Sequence, residues 1–236
     1  MPDVSSGAAA RKPRVGVVIP ARNEGPRLGE VLRAIPRTIG DVGDVVPIVV
    51  DDGSHDDTEA VARRAGARVI HHQINLGKGG ALSTGCQAAL GWGCDLIVLM
   101  DADGQHRPAD LPRLVAPLVA GDADLVLARR RLSAEMPIVM RAGNWGLSLL
   151  FAILYGRRFG DTQCGLRAFT SAAEPRLRWV STDYSVETEM LIRAVRGRLK
   201  VAEVEIDTVY HDSYKGTTLG DGLRIFGNML RWMVRA

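Results

Sequence analysis

Cysteine is scarce in this 236-residue sequence, which contains only Cys86, Cys94 and Cys164. The number is odd and no two of them form a C-x-x-C pair, so the pattern argues against a disulfide framework and a structural zinc site. We therefore expect three small buried thiols and a reducing compartment.

Aromatic residues and surplus charge are also low. Aromatic residues make up 5% of the chain, and 30 Lys and Arg residues against 27 Asp and Glu residues leave a formal net charge of +3. This composition lacks the dense basic and stacking character of a dedicated nucleic-acid-binding protein. We therefore expect no nucleic acid partner.

Long hydrophobic runs are missing as well. The longest, residues 145–155, is eleven residues long and is interrupted by Gly146 and Ser148. A helix that crosses a bilayer needs about 20 apolar residues, so the sequence predicts no membrane span. Residues 1–13 are small and polar, and they predict a flexible tail rather than a signal peptide.

What the sequence does contain is an alternation of short apolar runs with helical patterns. Runs that are apolar almost throughout, as in strands buried on both faces, lie at residues 15–19, 45–50, 68–71 and 96–100, with a fifth candidate at 125–128. Helical patterns follow at residues 27–34, 57–65, 80–90 and 108–119. This order predicts an α/β fold with a mostly parallel sheet and helices on both faces.

The pattern loosens after residue 130. An apolar helix is expected near residues 140–155, a helix near 187–195 and an amphipathic helix near 219–234. The length suits one large domain with appended elements. We therefore predict a single domain over residues 14–218, followed by a C-terminal amphipathic segment over residues 219–236.

Polar loops follow each of the first four predicted strands. They span residues 20–24, 51–58, 75–80 and 101–106. Ligands of open α/β sheets bind beyond the carboxyl ends of the strands. We therefore expect these four loops to lie close together and to form a binding site.

The fourth loop places Asp101 and Asp103 two residues apart, with Gln105 as a further oxygen donor. Oxygen donors of this kind bind a hard divalent cation and hold it against the phosphates of a substrate. The alternative is an acidic turn that caps the following helix, because Asp and Gly are ordinary turn residues.

Two other loops extend this interpretation. Asp51 and Asp52 form a second acidic pair, whose mutual repulsion favours a bound cation or hydrogen-bonding ligand, with Asp52 able to accept a base N–H. The glycine-rich loop offers backbone N–H groups and Lys78 to a diphosphate. Helix capping and a plain surface turn are the respective alternatives.

These loops, in this order, resemble the inverting family 2 glycosyltransferases with the GT-A fold, a Rossmann-like nucleotide-sugar-binding domain. The likeness covers about residues 14–215 and continues through the segment Asp161-Thr-Gln-Cys-Gly-Leu-Arg-Ala-Phe169. Together with Val186-Glu-Thr-Glu-Met190, that segment looks most like the branch that makes polyprenyl-phosphate sugars, the dolichyl-phosphate glucose and mannose synthases.

The resemblance implies specific roles for residues of the loops. It implies catalytic roles for Asp101, Asp103 and Arg130, and Mg²⁺ or Mn²⁺ held by Asp101, Asp103 and Gln105. The implied nucleotide-sugar contacts are Pro20, Arg22, Glu24, Asp51, Asp52, Lys78, Asp101, Ala102 and Asp103. The implied contacts to the acceptor phosphate are Arg130, Arg141 and Arg167, although Ala128-Arg-Arg-Arg131 stands where the family has Gly-Ser-Arg.

The implied activity is transfer of a hexose, glucose or mannose, from UDP-glucose or GDP-mannose to a polyprenyl phosphate. A lipid monophosphate has a second pKa of about 6, so it is already ionised and needs no dedicated base. Within the family, the alternative is a hydroxyl acceptor, for which Asp161, Glu187 or Glu189 could serve as base. From other classes, a nucleotidyltransferase and a nucleotide-sugar sensor remain open.

Two segments combine apolar and cationic residues as interfacial helices do: residues 145–155, which Arg141, Arg157 and Arg158 flank, and residues 219–234. Core packing is the alternative for both, and it is favoured for the first. With the reducing compartment, this pattern predicts peripheral attachment at the cytoplasmic face of a membrane. The nucleotide, the hexose, the polyprenyl chain and the oligomeric state are left open.

Overall fold

The computed structural model describes residues 11–40, 42–131, 138–209 and 219–234. Strands within these ranges run as follows: β1 Val15–Ala21, β2 Thr38–Ile39, β3 Val42–Asp51, β4 Arg68–His71, β5 Leu96–Leu99, β6 Leu125–Arg130, β7 Arg167–Thr170 and β8 Val201–Ile206.

The helices of the described ranges are α1 Gly25–Ala34, α2 Thr58–Arg64, α3 Lys78–Gly91, α4 Leu111–Val119, α5 Ile138–Tyr155, α6 Glu174–Leu177, α7 Val186–Arg196 and α8 Leu219–Val234. A 3-10 turn over Pro108–Asp110 leads into α4, with the proline in its first turn, where no backbone N–H is needed. The helices predicted between residues 27 and 195 are confirmed to within a few residues.

One mixed sheet holds the strands in the order β2-β3-β1-β5-β7-β6-β8, with β4 paired to β3. The pairs β1–β3, β1–β5, β3–β4 and β6–β8 are parallel. The mostly parallel α/β architecture predicted from the sequence is confirmed. Because β1, β3 and β5 point the same way, the loops that follow them emerge at one edge of the sheet.

Side-chain alternation along β1 separates two hydrophobic layers. Val15, Val17 and Ile19 pack in a layer with residues of α1 and α4. Val18 faces the opposite layer, which includes residues of α3 and α7. Successive strand side chains point to opposite faces, so an apolar run such as β1 requires helices on both sides.

The strand predictions were wrong about the burial of β4 and did not include β2, β7 and β8. Residues 68–71 were expected to be buried on both faces, but among the described strands β4 pairs with β3 alone, and Arg68 and His71 are exposed. The antiparallel strand β7, which lies between β5 and β6, was missed. No turn in the sequence near β7 indicates that the strand runs antiparallel. Its partners β5 and β6 lie far from it in the chain, so local sequence does not reveal the pairing.

The amino-terminal tail is only partly described. Residues 1–10 lie outside the described ranges, whereas Arg11 forms an ion pair with Asp95 at 2.8 Å. The carbonyl of Pro13 accepts a hydrogen bond from the backbone N–H of Gly43 at 2.9 Å. Arg11 and Pro13 thus contact the domain, and the flexible tail stays a prediction.

Candidate active site

Hydrogen bonds join the loops after β1 and β3. The backbone N–H of Asn23 donates to Ser54 Oγ at 2.9 Å, and His55 N–H donates to Asn23 Oδ1 at 2.9 Å. The N–H of Glu24 donates to Thr58 Oγ1 at 3.0 Å. Beside these contacts, Pro20 is half-buried within β1 and Arg22 is exposed. The first two predicted loops thus form one edge of the site.

Asp52 connects the β3 loop to the glycine-rich loop. Its two carboxylate oxygens accept the backbone N–H groups of Leu76 and Gly77, each at 2.8 Å. His72 Nδ1 lies 2.8 Å from the same carboxylate. Asp52 is buried, so these bonds give its charge the partners that burial requires. The carboxylate predicted to accept a base N–H thus fixes the glycine-rich loop in this structure.

Asp51 lies next to a small group of potential ligands. Its carboxylate accepts the N–H of Ser54 at 3.0 Å and lies 3.1 Å from His71 Nδ1. His71 Nδ1 is also 3.3 Å from Glu59. One atom from each of Asp51, Glu59 and His71 lies within 4.8 Å of the others, close enough to share a metal ion. These contacts equally form a hydrogen-bonded network without an ion.

Lys78 joins the glycine-rich loop to the D-x-D loop. Its ammonium lies 2.7 Å from Asp101 Oδ1 and 2.7 Å from Glu187 Oε1. Burial disfavours the charged form of Lys78, but Asp101 and Glu187 outweigh it and raise its pKa above the ordinary value. The sequence thus correctly predicted that the glycine-rich and D-x-D loops meet.

The two aspartates of the D-x-D loop differ in pKa. Burial would raise the pKa of Asp101, but Lys78 and His106 hold it well below its ordinary value. The pKa of Asp103 is raised, first by burial and then by the negative charge of Asp101. Between them, the side chain of Ala102 is buried, and the N–H of Gln105 donates to Asp103 Oδ1 at 3.0 Å.

The donor atoms of this loop suit a divalent cation. Asp101 and Asp103 present carboxylate oxygens, which Mg²⁺ and Mn²⁺ prefer as ligands. Burial, followed by repulsion from Asp101, raises the pKa of Asp103, and a nearby positive charge would offset both. The residues therefore fit the ion implied by the sequence pattern.

Residues 161–167 pack directly on the D-x-D loop. A Cβ atom at Gly165 would meet the carboxylate oxygens of Asp101, so glycine allows this close approach. Arg167 is fully buried, and its guanidinium donates to the carbonyls of Cys164, Thr162 and Glu187. Arg167 thus ties this segment to α7, and these bonds account for its burial without a phosphate.

Among the three consecutive arginines, Arg130 has a distinct environment. Its guanidinium forms two hydrogen bonds to the buried carboxylate of Asp161. Arg129 and Arg131 are exposed and pair with Glu205. Arg141 lies in α5, but its side chain is outside the described residues.

Two residues of this region, Glu187 and His106, have contacts that the sequence did not predict. Glu187 contacts Lys78 through one oxygen, and its other buried oxygen has no hydrogen-bond partner among the described residues. His106 is buried with Nε2 3.6 Å from Asp101, and its Nδ1 likewise has no partner in the described part of the chain. The only sequence signal was their position, next to the metal loop or at a helix start.

Glu189 has a structural role. Its carboxylate accepts the backbone N–H groups of Val180 and Ser181, and it pairs with Arg193. The sequence pattern favours a solvated or loop position for His72, but the structure places it mostly buried between Asp52 and Thr84, so that prediction was wrong. His211 lies outside the described residues.

The three cysteines are free and buried, as predicted. Burial, followed by the charge of Asp161, raises the pKa of the Cys164 thiol to about 12. The thiolate is the reactive form of cysteine. Cys164 is therefore unreactive in the folded protein, although it lies beside the site.

Helices α5 and α8 expose apolar side chains. Trp145 and Ile153 are 64% and 71% exposed on α5, whereas Phe151 of the same helix is buried. On α8, Phe226 and Met233 are exposed. Core packing, favoured for α5 from the sequence, thus accounts for only part of its surface. Among the described helices, none has the length and apolar character that crossing a bilayer requires.

The sequence is similar to a protein family and to known enzymes. Residues 16–171 match the model of glycosyl transferase family 2. The chain is 31% identical to a UDP-N-acetylglucosamine–dolichyl-phosphate N-acetylglucosaminyltransferase of Methanococcus voltae, over 91% of this chain and 94% of that protein. It is also 31% identical to an undecaprenyl-phosphate mannosyltransferase of Micrococcus luteus, over 94% and 95% of the two chains.

A solved structure supports the fold assignment. Glucosyl-3-phosphoglycerate synthase from Mycobacterium tuberculosis, in complex with Mn²⁺, UDP-glucose and phosphoglyceric acid, superposes with a TM-score of 0.75 and 26% identity. The match covers 94% of this chain and 80% of the other. With the mixed sheet and the clustered loops, these matches establish the family and the fold. The chain belongs to glycosyl transferase family 2 and has the GT-A fold.

Proposed function

We propose that this glycosyltransferase moves a hexose from a nucleotide-diphosphate sugar to a polyprenyl phosphate, with inversion at the anomeric carbon. The observation that carries the proposal is the meeting of Lys78, Asp101 and Asp103 at the carboxyl edge of the sheet. Both enzymes from M. voltae and M. luteus are named for polyprenyl phosphate acceptors, which favours the same class of acceptor here.

The donor occupies the edge formed by the β1, β3 and glycine-rich loops. In this proposal Pro20, Arg22, Glu24, Asp51 and Asp52 contact the base and ribose. Lys78 then lies toward the diphosphate, together with Ala102 of the D-x-D loop. The joined loops support this arrangement because hydrogen bonds already hold their backbones in place. UDP-glucose and GDP-mannose are both candidate donors.

Asp101, Asp103 and Gln105 hold Mg²⁺ or Mn²⁺ in this proposal. When bound, the ion supplies positive charge to the departing nucleoside diphosphate. The support is the donor set and the raised pKa of Asp103. The similar synthase was crystallised with Mn²⁺ and UDP-glucose, which agrees with a metal at this site.

Arg130 is the residue proposed to bind the acceptor phosphate, with Arg141 as a second cation. Asp161 fixes the guanidinium of Arg130 through two hydrogen bonds, so part of the cost of ordering it is met before a substrate binds. Arg167 was included with them in the sequence prediction. Its three backbone acceptors favour an indirect role, in which it shapes the segment that carries Asp161.

The chemistry then needs alignment more than proton transfer. A phosphate acceptor is ionised near neutral pH, so its oxygen attacks without a general base. Lys78 and Arg130 neutralise charge on the diphosphate and the acceptor, and in-line displacement inverts the anomeric centre.

A hydroxyl acceptor is the second candidate. The similar synthase was crystallised with phosphoglyceric acid, which is not a polyprenyl lipid. Of the three carboxylates considered as base, Asp161 is paired with Arg130, and Glu189 binds backbone N–H groups. Glu187 retains an oxygen without a hydrogen-bond partner among the described residues, so this alternative would assign the base to Glu187.

A lipid acceptor also requires access to a membrane. We propose that the exposed apolar side chains of α5 and α8 attach the protein peripherally at the cytoplasmic face of the bilayer. Trp145, Ile153 and Phe226 are exposed, and Arg158 and Arg231 nearby in sequence are exposed cations suited to anionic lipid.

Hexose transfer to extracted lipid tests the proposal. Protein would be incubated with Mn²⁺, a polyprenyl phosphate, and UDP-glucose or GDP-mannose labelled in the hexose, followed by extraction into organic solvent. We expect label in the organic phase and an inverted anomeric configuration by NMR. Label that stays aqueous as free donor would contradict the proposal, and label on added phosphoglyceric acid would favour the second candidate.

A further inference from the structure

The positively charged ammonium of Lys78 lies inside the proposed metal site. Lys78 is the first residue of α3, and its side chain is only 17% exposed. Its ammonium is 2.7 Å from an oxygen of Asp101 and 2.7 Å from an oxygen of Glu187. One positive charge is therefore shared between two carboxylates that are distant in sequence.

The backbone around Lys78 is held on both sides. Gly79 N–H donates to the carbonyl of Thr182 at 2.9 Å, and Trp179 Nε1 donates to the carbonyl of Gly79 at 2.8 Å. A Cβ atom at Gly77 would meet the same Thr182 carbonyl. Because the chain cannot shift freely here, the ammonium changes partners mainly by rotation of its own side chain.

The charges around the ammonium do not balance. Asp101, Asp103 and Glu187 bring three carboxylates against two buried cations: Lys78, which is bound directly to two of them, and Arg167, whose charge acts on Glu187 and Asp101. The second oxygen of Glu187 is buried without a hydrogen-bond partner in the described ranges. The site therefore retains an attraction for more positive charge.

A divalent ion and Lys78 would compete for Asp101. The ammonium already occupies Asp101 Oδ1, and a metal ion bound by this carboxylate would lie beside it. Two cations this close repel strongly where burial weakens solvent screening. Glu187 offers Lys78 a second partner, so the ammonium can leave Asp101 without becoming unpaired.

We propose that Lys78 is a resident counter-cation of Asp101, which must release that carboxylate before a divalent ion binds and which stays paired with Glu187 afterwards. This inference rests on the proposed metal site at Asp101 and Asp103. It makes metal uptake by the protein alone weak, because each binding event breaks a buried ion pair. It also keeps the lysine charge close to the place proposed for the diphosphate.

Titration calorimetry with MnCl₂, without nucleotide or lipid, tests this competition. Lys78→Met should bind Mn²⁺ at least about tenfold more tightly than the wild type, about 1.4 kcal/mol. Lys78→Arg, which keeps a cation, should stay near the wild-type affinity. The control is Lys200→Met, which removes an exposed lysine and should change nothing.

The outcomes separate this inference from the metal site itself. Equal or weaker Mn²⁺ binding by Lys78→Met, while Asp103→Asn reduces binding, would overturn the competition and leave the metal site standing. No Mn²⁺ uptake by any variant, even with UDP or GDP present, would overturn the metal site.

A measurement on the wild-type protein covers the case in which Lys78→Met does not fold. Lysine labelled with ¹⁵N gives an ammonium resonance for Lys78, assigned by its loss in Lys78→Arg. Adding Mg²⁺ should shift that resonance and leave the signals of Lys12 and Lys200 in place. An unmoved Lys78 signal at Mg²⁺ concentrations that calorimetry shows to be saturating would overturn the inference.

Discussion

Arg130 and Asp161 form a two-pronged ion pair, with Nε 2.6 Å from Oδ2 and Nη2 3.2 Å from Oδ1. The Asp161 side chain is 2% exposed and that of Arg130 is 11% exposed. Breaking such a buried pair by removing one charge leaves the other uncompensated. The pair therefore links the stability of the domain to the cation proposed for the acceptor.

Asp161→Asn should destabilise the protein by about 3–5 kcal/mol at neutral pH. Burial would raise the pKa of Asp161, but Arg130 holds it below the ordinary 3.8. A lowered carboxylate pKa contributes stability above about pH 4 that is lost as the pH falls through the folded-state value.

Urea unfolding from pH 7 to pH 2.5 checks this dependence. The difference in free energy of unfolding between the wild type and Asp161→Asn should shrink below about pH 4. Asp122→Asn, at an exposed turn, is the matched control and should follow the wild type. If the two proteins differed in free energy of unfolding by the same amount at every pH, the Arg130–Asp161 ion pair would not be the source of the lost stability.

Asp103→Asn should reduce hexose transfer at least about 100-fold while the unfolding temperature stays within a few degrees of the wild type. The change removes a charge proposed to bind metal, and it also removes repulsion with Asp101. Transfer assays and thermal unfolding measure the two effects. Retained activity would remove Asp103 from the metal site, and Asp122→Asn again serves as control.

Gly79→Ala should destabilise the protein by about 1–3 kcal/mol, because its Cβ would meet the backbone carbonyl of Ser181. Gly91→Ala, in the same helix, has open space around its Cβ and should be neutral or gain up to about 1 kcal/mol. Urea unfolding of both variants measures the contrast. If Gly79→Ala and Gly91→Ala were equally stable, the backbone near Ser181 would move aside to make room for the added Cβ atom.

The double substitution Trp145→Ser and Ile153→Ser should weaken binding to phosphatidylglycerol vesicles by about tenfold or more, since each side chain loses its apolar contact with the bilayer. Vesicle sedimentation at low salt measures binding. Val119→Ser, which also removes an exposed apolar side chain, is the control and should bind normally. Wild-type protein that stays in the supernatant would refute membrane attachment.

The sequence predicted the parallel part of the sheet because β1, β5 and residues 45–50 of β3 are apolar almost throughout. It did not predict β7, since an antiparallel strand of four residues between two others has no local signature. Likewise, the edge position of β4 depends on which strands pair, and its apolar residues alone favoured a buried strand.

The placement of the candidate site residues was predictable where they follow strands. Asp101, Asp103 and Lys78 were identified from loop position, and the structure brings these loops together. The separate environments of Arg129, Arg130 and Arg131 were not predictable, because only Arg130 among the three forms an ion pair with Asp161. The role of Glu189 in holding Val180 and Ser181 also depends on a fold-back of the chain.

By itself, the sequence determined the α/β class and the order of the polar loops after the strands, because strand periodicity and loop chemistry are local properties. Only the tertiary structure decided which charges pair. Lys78 shares Asp101 with Glu187, which lies more than a hundred residues away in the chain. Electrostatic energy depends on distance in space and on burial, and neither is written in the spacing of residues along the chain.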